Sequence, residues 1–301
     1  MKRVINIMNE VVQKHPFCAA LSDEDLQHLK RVFLGMYKDI YAVCCKYNLT
    51  VMLNGGTTLG AVRHQGFIPW DDDFDLMLPR EDYNKLIEVF DAELGEKYDL
   101  SVPGPNRTSR TLFMRILKKG TVLRVVGYEE DKGSCGIGID VHPIDRMPDN
   151  KICRNLKCKL LNLIRICALS VNLYKRKSKQ FKAVFMYSRS TKIYYWVRWT
   201  IGLVCSVFGR DNWYRFFVRV SSSSKGEKYV CIPSCALCEK ELQPREVFFP
   251  PRKAVFEGLE VYIPNDYDTY LRKQYGDYMT LPPEEKRQRH YYLELDFGEE
   301  E

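Results

Sequence analysis

The densest chemistry in the chain is Ile68-Pro69-Trp70-Asp71-Asp72-Asp73-Phe74-Asp75-Leu76-Met77-Leu78, with four carboxylates in five positions. Like charges this close raise one another's pKa unless a cation neutralises them, and a divalent metal is the natural neutraliser. On a strand, residues two apart share a face. That would set Asp73 beside Asp75, about 7 Å apart along the backbone, and turn Phe74 and Leu76 toward a core. Such a pair can grip one or two Mg²⁺ ions that also bind phosphate oxygens. An EF-hand calcium loop fails the pattern, because counting from Asp71 puts Leu76 where a glycine is needed and Asp82 where a bidentate Glu belongs. Upstream, Asn54-Gly55-Gly56-Thr57 puts a glycine pair between a strand and a helix start, where backbone N–H groups approach an anion closely. A third carboxylate is expected from a neighbouring strand. Asp140, an acid in the otherwise apolar run Ile137 to Val141, is the first candidate and Asp145 the second.

These side chains need elements to hold them. Ser22 with Asp23, Glu24 and Asp25 reads as an N-cap with acids in the first turn, and Leu26, Leu29, Phe33, Met36, Ile40, Val43 and Tyr47 then recur at helical spacing up to Asn48. Thr50 to Leu53 reads as a short buried strand, Thr57 to His64 as a short helix, and Asp73 to Leu78 as a strand. Pro79 opens a helix over Arg80 to Leu94. Thr111 to Leu117, Thr121 to Val126 and Ile137 to Ile144 are further strand candidates.

The formal charge of +7 averages two unlike regions. Lys151 to Val220 holds sixteen Lys and Arg against one acid, Asp211, a net +15 that leaves −8 for the remainder. Within it Leu160, Leu161, Leu163, Ile164 and Ile166, then Tyr194, Tyr195, Trp196 and Trp199, alternate with Arg165, Lys192 and Arg198, as in amphipathic helices with basic faces. This segment suits either a solvated helical subdomain or a surface for anionic lipid headgroups. No recognisable nucleic-acid-binding motif accompanies it, so nucleic acid is not an expected partner. No stretch reaches the roughly 18 apolar residues of a membrane span; the nearest, Trp199 to Phe208, lies between Arg198 and Arg210. Eleven cysteines without a signal-peptide pattern read as free thiols in a cytoplasmic chain. Cys231-x3-Cys235-x2-Cys238 lacks an obvious fourth ligand nearby and reads as buried thiols rather than zinc. Composition and pattern divide the chain into a catalytic core at 1–150, a basic helical segment at 151–225 and a C-terminal block at 226–301.

Strand, Gly-Gly, short helix and Asp-x-Asp strand resembles the arrangement of the nucleotidyltransferase superfamily. More specifically, Leu53 to Tyr83 resembles the signature of the LicD family, which includes fukutin and fukutin-related protein. Ile139 to Asp145 resembles its second acidic strand. Phe256-Glu257-Gly258, Tyr270-Leu271 and Tyr275 to Met279 resemble its C-terminal block, and Arg289-His290 stands where the family commonly has His-His. The resemblance implies a nucleotidyltransferase-like α+β fold. It also implies a metal-dependent phosphotransferase, using Mg²⁺ or Mn²⁺, that moves a phospho-alcohol such as phosphocholine from a CDP-alcohol donor to a glycan hydroxyl and releases CMP. In that scheme Asp73, Asp75 and Asp140 hold the metal, with Asp140 also a candidate to take the acceptor proton. Gly55, Gly56 and Thr57 cradle donor phosphate, and Arg63 or Lys119 neutralises developing charge. A lipid-linked glycan acceptor would place the enzyme peripherally at the inner face of the cell membrane. Two rivals stand beside this reading: an Asp-x-Asp glycosyltransferase using a nucleotide-sugar, and a non-catalytic scaffold binding an anionic surface through Lys151 to Val220.

Overall fold

A computed structural model describes residues 21–103, 111–125, 135–175, 179–186, 188–284, 287, 290 and 292–298. The fold is α+β. Helix α1 (Asp23–Lys46) starts where the Ser22 hydroxyl accepts from Asp25 N at 3.0 Å, and its stripe from Leu26 to Cys44 is buried. Strand β1 (Met52–Leu53) leads into α2 (Gly55–His64), then β2 (Asp75–Pro79) and α3 (Arg80–Glu93), which begins directly after Pro79. Strands β3 (Tyr98–Ser101), β4 (Met114–Lys118), β5 (Val122–Val125) and β6 (Gly138–Met147) complete the N-terminal part. Val126, the last residue of one expected strand, lies outside the described residues.

The main sheet runs β1-β2-β6-β4-β3, with β2 and β6 parallel and the other pairs antiparallel. Its core closes around Phe74, which is fully buried and meets the rings of Phe33, Tyr37, Phe67 and Phe256. The end of β6 pairs with β7 (Tyr229–Cys231), which pairs with β8 (Gln243–Pro244). Between them come the helices α4 (Lys151–Lys175), α5 (Lys179–Phe185), α6 (Arg189–Cys205) and α7 (Arg210–Ser221). The short helix α8 (Cys238–Glu241) follows β7. Hairpin β9 (Arg252–Phe256)–β10 (Leu259–Ile263), helix α9 (Tyr267–Tyr275) and strand β11 (Tyr292–Asp296), which pairs with β5, complete the chain.

One expectation fails at a position that matters. The strand predicted from Asp73 begins only at Asp75, because residues 71–74 form an irregular loop in which Asp71 N bonds back to Ile68 O. Asp73 and Asp75 therefore do not share a strand face. The helix after the glycine pair also starts two residues earlier than predicted, at Gly55, whose φ of +48° a glycine adopts without the Cβ clash of other residues.

Candidate active site

Parallel pairing of β2 with β6 sets Asp75 in register with Asp140, and antiparallel pairing of β4 with β6 sets Arg115 beside Asp140. Arg115 Nε donates to Asp140 Oδ1 at 2.9 Å. Three strands thus deliver a carboxylate, a second carboxylate and a guanidinium to one patch. Helix α2 points its N-terminus at the same patch. A Cβ on Gly56 would stand 3.2 Å from Asp71 Oδ2, and one on Gly55 would lie 3.5 Å from the Tyr275 hydroxyl and 3.7 Å from Asp75 Oδ2. The glycine pair is what lets backbone and carboxylates approach this closely.

The helix start is held from behind. Tyr270, fully buried, accepts from Gly55 N at 3.0 Å and donates to Asn54 Oδ1 at 2.7 Å. The Thr57 hydroxyl accepts from Asp75 N at 2.9 Å, so it ties α2 to β2. With Gly55 N and the Thr57 hydroxyl engaged, the N–H groups of Gly56 and Thr57 are the first-turn donors left for an anion. Arg63 donates to Tyr278 O at 2.6 Å and to His64 Nε2 at 2.9 Å, and the charge of Asp71 acts on it from the site.

The acidic loop is pinned from three sides. Lys30, 6% exposed, donates to Pro69 O at 3.0 Å and Ile68 O at 3.3 Å. Glu257 accepts from Phe67 N at 3.0 Å. Asp72, 7% exposed, accepts from both the backbone N and Nδ1 of His290, at 2.8 and 2.7 Å.

Electrostatics show what this patch lacks. Burial and then the charge of Asp75 push Asp73 up to about 7; burial and then Asp140 push Asp75 up to about 8. Burial and the charges of Asp73, Asp72 and Asp75 hold Asp71 well above the usual carboxylate range. A dication removes that mutual repulsion, so the donor set fits a divalent metal. Asp72, Asp73 and His290 already present three ligand atoms within 4.8 Å of one another, the one such group among the described residues. Burial works against charge on His290, but the Asp72 hydrogen bond and the neighbouring carboxylates outweigh it and raise its pKa to about 10. A metal taking that imidazole would have to displace its proton. His142 lies 3.7 Å from Asp75 Oδ1, bonds Ser234 through Nδ1, and is held neutral by burial with its pKa lowered to about 4.

Of the residues singled out in the sequence, Asp73, Asp75, Asp140, Gly55, Gly56, Thr57 and Arg63 converge here. Lys119 does not: its Nζ donates to Gly95 O at 2.5 Å, past the far end of β4 from Arg115. Asp145 is also elsewhere, fully buried in a bidentate pair with Arg80 at 2.7 Å for each bond. Arg115, Tyr270, Tyr275 and the Asp72–His290 pair are the additions. An arginine inside the apolar run Phe113 to Leu117 was the one sequence signal for Arg115. Arg289 lies outside the described residues. The thiols of Cys231 and Cys238 lie 3.3 Å apart, whereas Cys235 turns to the Asn54 amide at 3.3 Å, so the three do not gather as a ligand set.

Residues 48–150 match the LicD/FKTN/FKRP nucleotidyltransferase domain. The chain is 28% identical over 288 residues to the lipopolysaccharide cholinephosphotransferase LicD of Haemophilus influenzae, an alignment covering 89% of this chain and 97% of that protein. It is also 41% identical over 75 residues to the uncharacterised protein RP689 of Rickettsia prowazekii, covering 23% of this chain and 28% of that one.

Proposed function

The chain belongs to the LicD family of transferases, and on that premise we propose that it moves a phospho-alcohol, phosphocholine or a close relative, from a CDP-activated donor to a glycan hydroxyl with release of CMP. The observation that carries the reading is the register of Asp75 with Asp140 at the mouth of the Gly55-Gly56 helix start. Carboxylates for a metal and backbone donors for phosphate meet there, as transfer from a diphosphate requires.

Asp73 and Asp75 hold Mg²⁺ or Mn²⁺, and Asp140 completes the set. Bound there, the metal supplies charge neutralisation on the donor's phosphate oxygens. The N–H groups of Gly56 and Thr57 orient the donor phosphate at the positive end of α2. Arg115 fixes the rotamer of Asp140 by bonding its Oδ1, which leaves the other carboxylate oxygen to face the metal. Arg63, at the Asp71 side, adds positive charge where phosphate charge concentrates. Positioning and charge stabilisation carry most of such a transfer, since phosphoryl chemistry needs little covalent help.

The test is CMP release from CDP-choline, CDP-ethanolamine, CDP-glycerol and CDP-ribitol with Mg²⁺ or Mn²⁺ and a lipopolysaccharide or polysaccharide acceptor. Metal-dependent release from one donor is expected. Silence with all four, and hydrolysis of a UDP-sugar instead, would replace this reading with the glycosyltransferase one.

A further inference from the structure

The helices between β6 and β7 carry apolar surface that the fold does not use. On α4 the stripe Cys158, Leu161, Ile164 and Ala168 is buried against Met147, Tyr214 and Phe217. Ile152, Leu156, Leu160 and Leu163 recur at the same spacing on the opposite face, and they are 71, 61, 41 and 57% exposed. Helix α6 repeats the arrangement. Thr191, Tyr195 and Gly202 face inward, and at Gly202 the helices touch so closely that a Cβ would clash with Ser170 O. Ile193, Val197 and Val204 lie outward, 57, 53 and 68% exposed, and Val207 just beyond is 93% exposed. Contacts of Trp199 with Tyr174, Gly202 with Ser170 and Cys205 with Cys167 run the two helices antiparallel. That sets Val207 near the level of Leu163. Two helices each apolar on both faces are not explained by a core on one side.

The charge around these stripes says what covers them. Lys159 flanks the α4 stripe and Arg189 sits one turn before Ile193 on the same face, both exposed. Lys175, Arg210, Asp211 and Arg215 line a cleft of about 450 Å³ between the end of α4 and the start of α7. It opens on the side of α4 that packs on Tyr214 and Phe217, and Arg210 there is paired with Asp211 at 3.1 Å, so the cleft is no part of the outward surface. A second copy of this chain would bring a segment of net +15 against its own kind, so self-association is opposed. No helix among the described residues is long and apolar enough to cross a membrane. We infer that α4 and α6 lie on an anionic bilayer, the outward Leu, Ile and Val side chains entering the headgroup boundary and Lys159 and Arg189 at the edges of the stripes pairing with lipid phosphates. The inference does not depend on the reaction proposed above.

Flotation of the full chain with vesicles of phosphatidylcholine alone, or mixed with phosphatidylglycerol, tests it. The chain is expected to float with the anionic vesicles only, and less as salt rises. Lys159→Gln with Arg189→Gln weakens binding about fivefold per charge removed. Leu156→Ser with Val204→Ser, both at exposed positions, weakens it again without changing the circular dichroism. Wild type that stays unbound with anionic vesicles overturns the inference. So does flotation insensitive to both variants, or a stable dimer in sedimentation that the Leu156/Val204 variant dissolves.

Discussion

Asp140 stands in register with Asp75 across the parallel pair of β2 and β6, and after burial its charge is the largest influence lifting the Asp75 carboxyl to about 8. Two acids on neighbouring strands cannot both ionise cheaply without a cation between them. Arg115 meets part of that need from β4 by bonding one oxygen of Asp140.

Arg115 is therefore expected to act through Asp140. Arg115→Met should lower metal affinity and kcat about 10- to 100-fold, the usual cost of losing a group that orients a ligand. Arg115→Lys should restore part of it. Calorimetric Mn²⁺ titration alongside turnover checks this, and unchanged metal affinity in the Met variant would remove the role.

Tyr270 holds the start of α2 by satisfying Gly55 N and Asn54 Oδ1 at once. Tyr270→Phe leaves both groups without their partner in a buried place and should cost about 1–3 kcal/mol in urea unfolding. Because the same bonds orient the phosphate-facing turn, KM for the donor should rise more than kcat falls.

Asp145 is a structural acid. Asp145→Asn strips the buried Arg80 guanidinium of its counter-charge and should destabilise the fold by about 3–5 kcal/mol. At temperatures well below the shifted melting point, metal affinity should be unaffected. Loss of metal binding in a folded variant would return Asp145 to the candidate ligands.

Glu241, 5% exposed, is raised by burial from 4.5 to about 7. The folded chain keeps that proton where the unfolded chain releases it, so the contribution to stability is full below pH 4.5 and is lost as pH rises through about 7. Glu241→Gln should remove this loss, on the order of 3 kcal/mol, and leave the variant relatively more stable at pH 8 than at pH 5. Denaturant midpoints at the two pH values measure it.

Local signals in the sequence carried far. Ser22 and its acids mark the start of α1, Pro79 the start of α3, and the glycine pair the turn that meets the carboxylates. Acids in apolar runs pointed to Asp75 and Asp140, because a charged group there needs a reason. What failed depended on pairing. Arg63 and Lys119 are the cations singled out from the sequence, and Arg115 is passed over there because the β4–β6 register decides which cation faces Asp140. The irregular loop at 71–74 was hidden because its anchors, Lys30, Glu257 and His290, come from distant parts of the chain. The outward apolar faces of α4 and α6 were equally invisible, since periodicity shows two apolar faces but not which one the fold buries.

Metal-dependent CMP release by wild type and by Asp75→Asn is the measurement closest to the central claim. The Asn side chain keeps the size of Asp75, leaves the backbone bond to Thr57 intact, and removes one like charge, so the fold should survive. The account predicts release in wild type only with Mg²⁺ or Mn²⁺, and none above background in a variant of unchanged circular dichroism. An Asp75→Asn enzyme that turns over at the wild-type rate with the same metal dependence would contradict it.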